Sequence, residues 1–187
     1  MNTLAIIMNK SFYFISIIPS KEVFKQIKHY QKIMATQFNS PKSFGHIPHL
    51  TLIPPFHIDS ALESQLKTLL TTFSRNLEPF PIQIKGFSYF KKHTIFAEIK
   101  KTESLEKLHF ELLKLLNNEP DLLTKPIQYF QKYNPHITIG YKDLKPNFKT
   151  AWEFFETETI SHSFIFEKID LLKHNGEKWG KISFIQN

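Results

Sequence analysis

Two short stretches decide how this chain reads: Pro48-His49-Leu50-Thr51-Leu52 and Pro135-His136-Ile137-Thr138-Ile139. Each spells proline, histidine, aliphatic, threonine, aliphatic. In an extended chain the side chains alternate between faces, so His49 and Thr51 share one face while Leu50 and Leu52 point the other way. His136 and Thr138 repeat the arrangement, with Ile137 and Ile139 on the buried side. Histidine and threonine then stand roughly 6–7 Å apart along each strand. A single copy is what any strand with a threonine and a nearby histidine would show. Two copies in equivalent strand settings, one in each half of the chain, point to a shared site.

Working outward from the first copy, residues 40–48 hold proline, glycine and serine and read as a loop. Before them, Lys21 to Phe38 carries Val23, Ile27, Tyr30 and Met34 at helical spacing, with Ser20 as its N-cap. Phe12 to Ile18 is β-branched and aromatic and reads as a strand. After the motif, Pro54-Pro55 should stop the strand, because proline cannot donate to a ladder. Ser60 to Asn76 is expected to be helical on a stripe of Leu62, Leu66, Leu69, Leu70 and Phe73.

The second copy has similar surroundings. Pro81 to Phe90 and His93 to Lys100 read as a hairpin about Lys91-Lys92. A helix is expected over Ser104 to Asn118, with Leu105, Leu108, Leu112, Leu115 and Leu116 inward. Pro126 to Tyr133 reads as extended, and Phe148 to Glu156 as a short helix. Ile160 to Lys173 and Lys178 to Ile185 read as a terminal hairpin around Asn175-Gly176, a strong two-residue turn signal. Interspersed strands and helices with hairpins argue for an α+β class with antiparallel pairing. With 5 glycines and no glycine-rich phosphate loop, a Rossmann or P-loop fold is disfavoured.

Composition bounds the rest. A chain of 187 residues with 41% hydrophobic residues has the material for one globular core. Without cysteine there is no disulfide, thiolate metal site or cysteine nucleophile. The early apolar run Leu4–Met8 is too short for a signal-peptide core, and no run nears the ~18 residues that cross a bilayer. The expectation is therefore a soluble, cytoplasmic protein with no membrane partner, monomeric by preference. The net charge of +7 favours anionic partners, although a Lys-, Ile-, Asn- and Phe-rich composition also follows from an AT-rich genome. Arg75 is the only arginine, so bidentate guanidinium clamps on phosphate are nearly unavailable.

Two imidazoles and two hydroxyls facing one cleft suit phosphoester chemistry. A diester needs a base for the attacking oxygen and an acid for the leaving oxygen, and histidine titrates near pH ~6.5, so it can fill either role. Threonine hydroxyls can donate to the non-bridging oxygens, where charge sits in the transition state. Which histidine is base and which is acid stays open at this level. No cofactor is expected, and no metal either: Pro48 between His46 and His49 rules out a regular helical histidine pair.

The paired His-x-Thr motifs resemble the two-histidine (2H) phosphoesterase superfamily, which includes the bacterial 2'-5' RNA ligase and cyclic phosphodiesterase-like proteins. The resemblance covers essentially the whole chain, with the two motifs as its specific part. It implies one bilobal α+β domain over residues 1–187, with two antiparallel-rich sheets and flanking helices around a central cleft. Each lobe would carry one motif, at 49–51 and 136–138. It implies His49 and His136 as catalytic residues and Thr51 and Thr138 as phosphate-binding residues. The implied substrate is an RNA end, a 2',3'-cyclic nucleotide, a 2'-5' linkage or ADP-ribose cyclic phosphate. Where several members carry an arginine after the second motif, this chain reads Gly140-Tyr141-Lys142-Asp143, and Lys142 offers charge without the fork. Phe44, Phe56, Tyr141 and Lys142 are further candidates for substrate contact, the aromatics by stacking on a base. Core packing competes for the phenylalanines, of which there are 19. His57, His93, His109, His162 and His174 are read as surface or partly buried. Two other readings stay open: a module that binds an RNA end without turnover, and an ATP-independent ligase of pre-activated ends.

Overall fold

The computed structural model describes residues 10–119, 121–123, 125–128 and 133–184. The run Leu4–Met8 and residues 129–132 of the extended stretch expected over Pro126–Tyr133 lie outside them. The chain order is β1 (Lys10–Ile17), α1 (Lys21–Gln37), β2 (Leu50–Asp59), α2 (Glu63–Ser74), β3 (Phe80–Phe90) and β4 (Thr94–Ile99). Then come α3 (Glu103–Asn117), β5 (His136–Tyr141), α4 (Phe148–Phe155), β6 (Ser163–Phe166), β7 (Asp170–His174) and β8 (Trp179–Ile182). The α+β class with antiparallel pairing holds throughout. Among the described residues no helix is long and apolar enough to cross a membrane.

The strands form one ordered sheet, β6-β3-β4-β5-β2-β1-β7-β8. The two motif strands are its central neighbours, with three further strands on each side. They meet at a single antiparallel pair, Leu50 opposite Ile137. The two antiparallel-rich sheets that the resemblance implies are thus joined into one sheet at this single pair. A strand, a helix and a motif strand recur on both sides: β1-α1-β2 on one and β4-α3-β5 on the other.

Local chemistry explains the helices. The Ser20 hydroxyl accepts from the Val23 amide and the Thr102 hydroxyl from the Leu105 amide, each satisfying an orphan N–H of the first turn. Helix α1 buries Val23, Ile27, Tyr30 and Met34 as the spacing predicts, and also Gln31. Helix α3 buries Leu113 in place of Leu115, and with it His109. Met34 packs so close to β5 that a Cβ added at Gly140 would come 2.7 Å from its side chain. Glycine there lets the helix approach the strand.

Three expectations change. Strand β2 runs straight through Pro54-Pro55. Tyr13 pairs with Phe56 and Ile15 with Ile53, so the two prolines face Phe14 alone in a bulge. The missing N–H groups fall where the ladder is interrupted, and β5 does not pair there. Second, Ile160–Lys173 is not one hairpin arm. Residues Ser163–Phe166 pair with β3, while Asp170–His174 pair with β1 several strands away. Exposed Glu167 and Lys168 lie between the two segments. Third, the loop about Asn175-Gly176 spans four residues, because His174 pairs with Trp179. The Asn175 side-chain oxygen accepts from the Glu177 and Lys178 amides and closes it.

The β3–β4 turn places two lysines in the left-handed region, Lys91 at φ 46° and Lys92 at φ 53°. The His93 amide closes it by donating to the Phe90 carbonyl at 3.1 Å. This is type I′ geometry, which asparagine and glycine adopt with far less strain than lysine. The double change Lys91→Asn with Lys92→Gly is expected to stabilise the fold by about 1 kcal/mol and raise Tm by about 2–4 °C. Differential scanning calorimetry checks this; an unchanged or lower Tm would contradict the strain assignment.

Candidate active site

The register of the central pair determines the site. Leu50 and Ile137 are fully buried and face each other across the two strands. One residue to either side, the antiparallel register sets His49 across from Thr138 and Thr51 across from His136. All four lie on the face opposite the buried pair. The two threonines occupy one diagonal of this rectangle and the two histidines the other. Diagonal neighbours in such a pair are about 7–8 Å apart. A local twofold through the Leu50–Ile137 pair exchanges one motif for the other.

Each imidazole is held in the same way. His49 Nδ1 lies 2.6 Å from the Ile47 carbonyl and His136 Nδ1 lies 2.8 Å from the Asn134 carbonyl, each two residues upstream. A carbonyl only accepts, so Nδ1 carries the hydrogen and Nε2 is left as the working nitrogen. Aromatic rings fix the orientation. His49 leans on Phe14 at 4.8 Å between centroids, and His136 on Phe90 and Phe96, both at 5.0 Å. The electrostatic settings of the two rings differ. Burial pushes His49 below the ordinary histidine value, the Ile47 carbonyl pulls it back, and positive charge on His46 or His136 pushes it down again. Burial also lowers His136, against the Asn134 carbonyl.

Two cavities flank the quartet and share Thr51. One, of ≈ 200 Å³, is walled by His49, Thr138, Phe14, Trp179, Pro55, Gln31, Ser43, His46, Ile47 and Tyr141. The other, of ≈ 230 Å³, is walled by His136, Phe90, Tyr133, His109, Asn134, Leu52 and Pro54. The bulged prolines of β2 therefore point to opposite sides, Pro55 into the first cavity and Pro54 into the second. Among the described residues no group of three or more His, Asp or Glu side chains could hold a metal.

Of the other residues singled out from sequence, Tyr141 lines the first cavity beside His46, their rings 5.9 Å apart. The rest lie elsewhere. Phe56 is a core residue, 5% exposed and stacked on Tyr13, because it alternates with the exposed Pro55 and His57. Phe44 is exposed outside both cavity walls, with the Lys28 ammonium over its ring at 5.0 Å. Lys28 also donates to the carbonyls of Phe44 and His46, which ties the loop before the first motif to α1. Lys142 sits at φ 60°, its ammonium over the Tyr141 ring, outside the walls of these two cavities. Its charge reaches the site indirectly: His46 is lowered by burial first, then by Lys28 and Lys142.

Among the side chains at the site that the sequence reading missed are Gln31, Phe14, Trp179, His109 and Tyr133. For two of them a signal existed. Gln31 and His109 are polar residues inside the apolar stripes of α1 and α3, and buried polar side chains need partners. His109, read as surface or partly buried, is 2% exposed. Its Nδ1 lies 2.6 Å from the Leu52 carbonyl and its ring stacks on Tyr133 at 4.0 Å and 6°.

A family model described as the 2'-5' RNA ligase superfamily matches residues 19–178. The RNA 2',3'-cyclic phosphodiesterase of Thermotoga maritima is 29% identical over 145 residues, 75% of this chain and 73% of that protein. In fold the chain is similar to E. coli LigT, solved with 3'-AMP: TM-score 0.61, 15% identity, covering 93% of this chain and 96% of LigT. TT0787 of Thermus thermophilus superposes with TM-score 0.59 at 15% identity, over 92% of this chain and 95% of that one.

Proposed function

Because the chain belongs to the 2'-5' RNA ligase superfamily, we propose that it is a phosphodiesterase acting on a 2',3'-cyclic phosphate at an RNA end or on a nucleotide, with His49 and His136 as its acid–base pair. One observation carries this reading: two Nδ1-pinned imidazoles stand at opposite corners of a rectangle whose other corners are threonine hydroxyls. In this reading the chain acts as one bilobal unit, with a motif from each half.

The roles follow from charge. His49 has positive neighbours that oppose its protonation, so it starts neutral and takes the proton of the attacking water at Nε2. The two rings repel each other's charge equally, so His46, which opposes protonation of His49, is what separates them; His136 holds the proton more readily and passes it to the leaving ribose oxygen. The water oxygen bonds to phosphorus, the bond from phosphorus to the 2' or 3' oxygen breaks, and a nucleoside monophosphate results. Thr51 and Thr138 donate to the non-bridging oxygens, where preorganised donors act most strongly on the transition state. The Thermotoga phosphodiesterase supports the cyclic substrate, and the LigT complex with 3'-AMP supports a nucleotide in the cleft.

The test is turnover of the four 2',3'-cyclic mononucleotides and of RNA ending in a cyclic phosphate, in buffer containing EDTA. Product monophosphate without added metal is expected. Tight binding with no product from any of them would favour a binding module. The same assay gives a pH profile. The acid limb reports protonation of the base and the alkaline limb deprotonation of the acid. Burial lowers both histidines, so kcat/KM is expected to follow a bell with its maximum below pH ~6.5, the ordinary histidine value. An optimum above pH 8 would remove histidine from one of the roles.

A further inference from the structure

The two motif strands pair at one position and then part, and the carbonyl just beyond the pair on each strand is held by a side chain from the other side of the sheet. On β2 the Thr51 carbonyl accepts from the Tyr133 hydroxyl at 3.1 Å. On β5 the Thr138 carbonyl accepts from Gln31 Nε2 at 3.0 Å. Tyr133 leads into β5 yet holds β2, while Gln31 comes from the helix before β2 yet holds β5. Next to the first of these contacts, His109 on α3 holds the Leu52 carbonyl of β2. Its ring lies flat on Tyr133.

We infer that Gln31 and Tyr133 are positioning residues, a reciprocal pair of clamps that fixes the opening between β2 and β5 and so the separation of the two motif faces. The inference rests on the acid–base reading above, since it concerns how that quartet is held. Leu50–Ile137 is the last ladder contact between the halves, so the backbone alone does not set the spacing beyond it. Each clamp grips the backbone of a threonine whose hydroxyl faces the cleft, so a shift of either carbonyl moves a phosphate donor and the histidine two residues before it. Misplacement on the order of 1 Å can cost about 10²-fold in rate even when no reacting group is removed. Both clamp residues are buried, Gln31 at 2% and Tyr133 at 8% exposed. Burial raises the Tyr133 hydroxyl well above its ordinary range, so it keeps its proton and remains a donor throughout the working pH. Gln31 takes its orientation from the same contact: its amide nitrogen is the only end that can donate to a carbonyl.

The experiment compares wild type with Tyr133→Phe and Gln31→Glu in two assays: 2',3'-cyclic nucleotide turnover, and binding of inorganic phosphate followed by histidine NMR. Folding is monitored by circular dichroism. Tyr133→Phe keeps the ring that stacks on His109 and removes only the donor. It is expected to lower kcat about tenfold and weaken phosphate binding severalfold while the protein stays folded. Gln31→Glu places an acceptor against the Thr138 carbonyl when ionised and a donor when protonated. Its activity relative to wild type is therefore expected to recover as pH falls, a trend that general loss of stability does not produce. Variants that keep both turnover and phosphate affinity would overturn the clamp and leave the acid–base reading standing. Phosphate binding that depends on the clamp in a protein with no turnover would uphold the clamp and overturn the hydrolytic reading. A wild type that neither binds phosphate nor turns over would overturn both.

Discussion

Replacing His136 with alanine is expected to lower kcat/KM for a 2',3'-cyclic nucleotide by about 10²–10⁴, the usual weight of one positioned acid or base. That range corresponds to about 3–5 kcal/mol of transition-state stabilisation. The fold should survive, because the ring is partly exposed and its hydrogen bond is a local one to Asn134. His49→Ala should cost a similar factor. The double variant should cost less than the product of the two, since an acid without its base has little left to do. Steady-state kinetics on all three proteins, with circular dichroism as the folding control, decides the matter. His136→Ala retaining more than a tenth of wild-type kcat/KM would remove the imidazole pair from the mechanism.

The second large effect concerns the hinge between the motifs. Leu50→Ala is expected to destabilise the protein by about 2–5 kcal/mol, the range for emptying a buried leucine site. Leu50 is fully buried and is the residue of β2 that pairs with β5. The cavity would open between the two strands whose register aligns His49, Thr51, His136 and Thr138. Activity measured well below Tm should therefore fall beyond what the unfolded fraction explains. Leu66→Ala is the matched control, since Leu66 is equally buried but sits on α2. It should lose comparable stability and keep kcat/KM. Equal residual activity in the two variants would show that the Leu50–Ile137 pair supports the fold and not the geometry of the quartet.

Much of this protein was legible in the order of its residues. The stripe of Val23, Ile27, Tyr30 and Met34, the Ser20 cap and the alternation in each His-x-Thr stretch are local patterns, and local patterns survive without knowledge of the fold. The repeated motif singled out the four side chains that the structure sets on one face. Elsewhere the local rule was outweighed. Pro54-Pro55 reads as a strand end, yet β2 continues because a bulge absorbs both residues. Phe56 looks available for stacking, yet strand alternation turns it into the core.

By itself, the sequence determined the α+β class, most of the helices and strands, and the residue types able to do acid–base chemistry on phosphate, because periods of two and 3.6 are set within a few neighbouring residues. Tertiary structure decided which strands meet and what holds them. It chose the Leu50–Ile137 register, sent Ser163–Phe166 to β3 and Asp170–His174 to β1, and brought Gln31 to Thr138 and Tyr133 to Thr51. Those contacts join residues far apart in the chain. They are selected by how the whole core packs and where each buried polar group finds a partner, which no short window of sequence contains.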